Sequence, residues 1–141
     1  FVHRDFHLAN LMVNKNQLGI IDSQDAVIGN SAYDLASLID DVRYKTSTKL
    51  KNKKYNIYYK KNKKIVNKFF FNDFEILSVL RNLKIIGIFT RLAKRDNKKS
   101  YLKLIPYAWK LIDLRCRNNP HLIDFKNFLF KYFPYKIRQK K

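Results

Sequence analysis

The chain has 141 residues, 46% of them hydrophobic and 29% charged, with a formal net charge of +19. That is one domain's length with enough apolar material for a core, and it contains no run of about 18 apolar residues that could span a bilayer. No signal peptide is visible, and a single cysteine, Cys116, excludes an internal disulfide and suits a reducing, cytoplasmic setting. Charge is uneven: residues 1–42 hold six acids and two bases, while the rest holds five acids and 28 bases. An acidic start suits a cation site. The basic remainder reads either as a solvated surface rich in Lys, Asn and Ile or as a surface for polyanions.

The chain opens on His3-Arg4-Asp5-Phe6-His7-Leu8-Ala9-Asn10, and two short apolar runs follow, Leu11–Val13 and Leu18–Ile21. Their connection, Asn14 to Gln17, predicts a hairpin with a four-residue loop. With Val13 facing Leu18, Asn10 faces Ile21 and lies beside Asp22, about 5 Å away across the ladder. Two oxygen side chains so placed can share one hard cation such as Mg2+. An HRD-x-x-x-x-N run followed by a strand-terminal aspartate is the arrangement of protein-kinase-like phosphotransferases. Asp5 is then the catalytic carboxylate that accepts or orients the acceptor proton, and Asn10 and Asp22 are the metal ligands.

Residues 23–31 form a loop. Asp25 in it is a possible substrate or second-metal contact, or a loop cap. Ser31-x-x-Asp34 predicts a capping box for an amphipathic helix over 33–43, with Leu35, Leu38, Ile39 and Val42 on one face. Between Arg43 and Lys68 there are eleven Lys or Arg and no acid, interleaved with Tyr55, Tyr58 and Tyr59. Basic residues with aromatics are a footprint of single-strand binding, although a solvated charged face explains the run more simply and nucleic acid is the weaker reading. The strongest helical pattern runs from Asn72 to Asn97, with Ile76, Leu77, Leu80, Leu83, Ile86 and Gly87 along one side. Gly87 inside it implies close packing at that point. Arg81, Arg91 and Arg95 on this helix are candidates to bind a substrate or phosphate, with Arg91 preferred to Arg95, which reads as surface charge. Pro106 starts or kinks the next helix, and Pro120 and Pro134 bracket a last short one. Trp109 and Leu104 belong to the core, Cys116 is incidental among polar residues, His121 is structural, and the tail from Lys136 frays.

His3-x-Asp5-x-His7-x-x-Asn10, Ile20-Ile21-Asp22 and Ala32-Tyr33-Asp34-Leu35-Ala36 together resemble the aminoglycoside phosphotransferase and choline kinase family. HRDFH, the Asp22-x-Gln24-Asp25-Ala26 stretch and Arg81–Leu92 followed by Arg95-Asp96 resemble its branch that phosphorylates the anomeric hydroxyl of N-acetylmuramate and N-acetylglucosamine in cell-wall recycling. One departure is Ser23, where the family carries a large apolar residue. The resemblance covers nearly the whole chain, most weakly Lys45 to Phe71. It implies that His3, His7 and Asp34 brace the catalytic loop, that ATP is the phosphate donor with Mg2+, and that the acceptor is a sugar.

The expected fold is therefore α+β: a small β-hairpin with the catalytic loop, then a helical bundle, as in the C-terminal lobe of a protein-kinase-like fold. The chain is read as one partial domain, 1–141, with the catalytic loop, hairpin and first helix in 1–43 and a helical substrate-side lobe in 44–141. It enters directly at the catalytic loop, its three glycines (Gly19, Gly29, Gly87) form no phosphate-covering loop, and no upstream strand carries a nucleotide-pairing lysine. The expected partners are ATP, a sugar and an N-terminal nucleotide lobe on the same or a separate chain, with no membrane. Alone, the 141 residues are expected to be inactive. The rival readings are a basic nucleic-acid-binding protein and an inactive remnant or interaction module of a kinase.

Overall fold

The computed structural model describes residues 1–64, 66–117 and 119–139. Among them are one two-stranded antiparallel sheet and six α-helices, an α+β arrangement. They form two compact units: Phe1–Asp41 with Thr46–Leu77, and Val42–Lys45 with the chain from Ser78 onward.

In the first unit a short 3-10 turn, Leu8–Asn10, leads into β1 (Leu11–Asn14), which pairs with β2 (Gln17–Ile20) in the register Leu11↔Ile20 and Val13↔Leu18. That is the expected register. The loop is shorter than expected, two residues rather than four. Lys15 and Asn16 both take left-handed φ, 44° and 66°, so Asn14 and Gln17 still pair. A two-residue turn with both φ positive matches the twist of the strands, and Asn accepts that conformation at low cost.

Helix α1 (Ala32–Ile39) is capped one residue earlier than the capping-box reading places it. Ser31 is already helical and its side chain caps nothing; Asn30 Oδ1 instead accepts from the Ala32 N–H at 3.0 Å, while its Nδ2 donates to Asp73. Asp34 is thereby released from capping. Helix α2 (Thr48–Lys61) starts at Ser47, whose hydroxyl accepts from the Leu50 N–H. Helix α3 (Phe70–Arg95) begins in this unit, and the division between the units falls within it, after Leu77. The core here joins Leu35, Ala36 and Ile39 of α1, Tyr55 of α2, and Phe70 and Phe74 of α3. Tyr55 packs 5.0 Å from Phe74 and Tyr58 stacks on Phe70 at 5.7 Å. Two of the three tyrosines read from sequence as stacking platforms are thus core residues.

In the second unit α3 ends where Asn97 turns left-handed, φ 53°, and the Lys98 N–H reaches back to the Leu92 carbonyl. A 3-10 stretch, Lys99–Leu104, leads to α4 (Ile105–Cys116) with Pro106 in its first turn, then come α5 (Ile123–Tyr132) and α6 (Tyr135–Arg138). Val42, Ile85, Phe89, Ala108 and Leu111 form the core. Three expectations fail here. Gly87 is exposed, and a Cβ there would meet nothing within 4 Å, so no close packing explains it. Leu80 also faces out; the buried stripe of α3 runs instead through Val79, Ile85, Phe89 and Ala93. The expected fraying of Lys136 to Lys141 does not begin at Lys136, though Lys140 and Lys141 lie outside the described residues: Arg138 is 2% exposed, stacked 4.4 Å from the Trp109 ring and 4.5 Å from Phe130, and paired with Asp113 at 2.8 Å. Cys116 closes α4, at a helix end as expected, and is buried.

Candidate active site

Residues 2–10 and 21–27 form two loops of the first unit that are fastened to each other at several points. Val2 and Val27 make an isolated antiparallel bridge, with hydrogen bonds of 2.7 and 2.9 Å. The His3 ring donates from Nε2 to the Ile21 carbonyl at 3.1 Å, which puts its proton on that nitrogen. Arg4 Nη1 donates to the Asp25 carbonyl at 3.3 Å. Beneath them Asp34, on α1, accepts the backbone N–H of His3 at 2.6 Å and of Arg4 at 3.0 Å, one on each carboxylate oxygen. A charged acceptor serving two adjacent amides strengthens each bond and fixes the peptide plane between them. It also holds Arg4 in the left-handed region, φ 72°, a conformation uncommon for a long side chain.

The turn after Asp5 closes on itself. The His7 N–H donates to the Asp5 carbonyl and the His7 carbonyl accepts the Asn10 N–H, both at 2.9 Å. Asn10 Nδ2 donates to the same Asp5 carbonyl at 3.0 Å, so the two ends of the HRD-x-x-x-x-N run are joined through one oxygen. The Ile21 N–H donates to the Asn10 carbonyl at 3.1 Å, extending the hairpin register by one pair and bringing Asp22 alongside. Asn10 Nδ2 lies 3.5 Å from Asp22 Oδ2, at the long end of hydrogen bonding. Asp22 is exposed and left-handed, φ 69°. Its other oxygen, Oδ1, accepts from Gln24 Nε2 at 2.6 Å, a contact that periodicity and spacing do not signal.

Asp5, Asn10 and Asp22 are therefore gathered in one place, with His3, His7 and Asp34 in the scaffold around them. Asp25 meets this group through its backbone, with its carbonyl on Arg4. Arg91 belongs to the second unit, where it is exposed on α3. Arg81 is buried in the same unit, and Arg95 is paired with Asp96 through two hydrogen bonds of 2.7 and 3.0 Å. That pair holds the Asp96 carboxyl below the usual range and raises the Arg95 guanidinium above its own. Ser23 is exposed, and its carbonyl closes a turn with Ala26.

Among the described residues no three His, Cys, Asp or Glu side chains gather as a metal cluster. What the chain offers is a carboxylate and an amide, a hard-oxygen pair fit for Mg2+, which usually takes its remaining ligands from water and phosphate. Beside the loop, Leu8, Leu11, Leu35, Leu38, Leu50 and Tyr58 are among the residues lining an open groove of about 480 Å³ with Lys54 and Lys61 at its rim.

Residues 1–59 match the family model described as the phosphotransferase enzyme family. The chain is 31% identical over 144 aligned residues to an N-acetylmuramate/N-acetylglucosamine kinase of Caulobacter vibrioides, an alignment covering 99% of this chain and 39% of that protein. It is 33% identical to the Pseudomonas aeruginosa kinase of the same name, over 92% of the chain and 40% of the relative. For the Neisseria meningitidis serogroup B kinase of that name the figures are 37%, 75% and 34%. The chain thus spans about two fifths of the length of the curated relatives it matches, in their C-terminal part.

Proposed function

The chain belongs to the phosphotransferase enzyme family, and from that premise we propose that it is the C-terminal catalytic portion of an ATP-dependent sugar kinase with a protein-kinase-like fold. The observation that carries the proposal is the closure of Asp5, Asn10 and Asp22 into one group, with the amide of Asn10 between the other two. Phosphoryl transfer of this kind leaves little covalent work to the protein, whose task is to position reactants and to balance charge. Asp5 accepts or orients the proton of the attacking hydroxyl. Asn10 donates through Nδ2 to the Asp5 backbone, which leaves its oxygen end for a cation shared with Asp22. Mg2+ held there would neutralise the charge spread over the transferred phosphoryl oxygens. Asp34 and the His3 ring keep the loop in register, so that Asp5 presents its carboxylate without rearrangement.

The relatives' names supply the substrate class, N-acetylmuramate and N-acetylglucosamine; a role in cell-wall recycling and a cytoplasmic setting are part of this proposal. The nucleotide-covering lobe is then contributed by a further portion, on the same or a separate chain. The test is a hybrid in which this chain follows the N-terminal three fifths of the Caulobacter relative, supplied with ATP, Mg2+ and either sugar. Sugar phosphate should form with the hybrid and fall by about 100-fold or more with Asp5→Asn, while sugar affinity is kept. Equal turnover by the two proteins would overturn the assignment.

A further inference from the structure

Asp22 is an exposed carboxylate on a left-handed residue, so burial does not fix its rotation. An unrestrained carboxylate loses affinity for a cation, because its side-chain rotation must be frozen on binding. Gln24 removes that freedom. Its Nε2 meets Asp22 Oδ1 at 2.6 Å, and since a carboxylate only accepts, the amide's nitrogen end must be the one presented. The loop that carries Gln24 is itself held at three points: the His3 ring on the Ile21 carbonyl, Arg4 on the Asp25 carbonyl, and the Val2–Val27 bridge. Gln24 is therefore anchored on both sides of its position, not a side chain folded over at random on a free loop.

We propose that Gln24 is a positioning residue that orients Asp22, engaging Oδ1 so that Oδ2, on the Asn10 side, is the oxygen presented to a divalent cation. The two amides divide the carboxylate: Gln24 takes one oxygen firmly, and Asn10 lies 3.5 Å from the other, a spacing that cation entry can open. This rests on the reading of Asn10 and Asp22 as ligands. Partners that orient a metal ligand from behind contribute about 10- to 100-fold in metal affinity.

The experiment titrates Mn2+, as a paramagnetic stand-in for Mg2+, into the 141-residue chain and follows bound metal by electron paramagnetic resonance. Wild type is compared with Gln24→Met, Gln24→Asn and Asp22→Asn, and the melting temperature of each metal-free chain is recorded. Gln24→Met keeps the side chain's length and removes the donor. It should weaken Mn2+ binding about 10-fold with the metal-free melting temperature unchanged. Gln24→Asn, which keeps the amide on a shorter stem, should recover part of that loss. Asp22→Asn should abolish the site. If Asp22→Asn weakens binding and Gln24→Met does not, Gln24 has no positioning role although the ligand reading stands. If Gln24→Met lowers both melting temperature and affinity while Gln24→Asn recovers neither, its role is structural and the proposal fails. If wild type binds no Mn2+, or Asp22→Asn binds as well as wild type, the ligand reading fails and this inference with it.

Discussion

At the scale of single residues, the carboxylate of Asp34 is worth more than its place on α1 suggests. It serves the N–H groups of His3 and Arg4 together, so Asp34→Ala strands two amides in a partly buried site. We expect a loss of about 3 kcal/mol in urea denaturation, with Asp34→Asn, which keeps one acceptor, losing less. Tyr55 behaves in the opposite sense. Its hydroxyl is buried without a hydrogen-bond partner, and its pKa is pushed up from the ordinary 10.0 to about 12, chiefly by burial, with Tyr59 and Glu75 adding to it. The folded state therefore favours the neutral phenol. That contribution is complete below pH 10 and is lost as the pH rises through 12. Tyr55→Phe should leave stability at pH 7 equal or higher, and should flatten the fall in melting temperature between pH 10 and 12.

Among the elements, α2 is the one whose burial the sequence hid. Eleven bases between Arg43 and Lys68 read as a solvated or polyanion-binding face, yet Lys51 is 3% exposed. Its ammonium donates to the Ile39 carbonyl at 2.6 Å and pairs with Asp40 at 3.1 Å. Charge patterning says nothing about which lysine finds an acid at the end of another helix, and that information is tertiary. Lys51→Met removes the cation from a buried pair and should cost about 3–5 kcal/mol. Exposed Lys53→Met should stay within about 0.5 kcal/mol, both read from urea midpoints. Where local chemistry decided the outcome, the elements were legible: the hairpin register followed from Val13 and Leu18, the end of α3 from Asn97, the start of α4 from Pro106. The cap of α1 was misread because Ser31 and Asn30 are equally good caps on paper, and the donation of the His3 and Arg4 N–H groups to Asp34 is tertiary information. Gly87 carried a false signal of packing. With open space around it and helix on both sides, Gly87→Ala should stabilise by about 1 kcal/mol in thermal melts.

On the scale of the whole molecule, the first unit leaves much apolar surface uncovered. Val13 is 77% and Ile28 91% exposed, with Met12, Leu18 and Ile20 beside Val13 on the hairpin. Patches of this kind drive association when nothing covers them. The 141-residue chain should therefore self-associate with rising concentration in sedimentation velocity, and Val13→Lys with Ile28→Lys should return it toward monomer. Supplied with ATP, Mg2+ and an amino sugar, the chain alone should turn over more than about 1,000-fold slower than the hybrid. On the reading proposed above it holds one side of the site, and positioning of both reactants supplies much of the rate. Substantial sugar phosphate from the chain alone, absent with Asp5→Asn, would show that the further lobe is dispensable. The candidate site itself was legible because it is compact in sequence: Asp5, Asn10 and Asp22 fall within eighteen residues of one another. Gln24 was not, since its role depends on the path of a loop rather than on spacing.

The left-handed backbone at Asp22 sets what that position can become. At φ 69° a glycine or an asparagine is at ease, whereas alanine or valine strains the turn. A change to Asn keeps this backbone conformation and one acceptor for the Gln24 amide, so it removes the charge with the least disturbance of the loop. The same constraint governs how its loss is to be read: Asp22→Ala mixes the missing charge with a distorted backbone, and Asp22→Asn separates them.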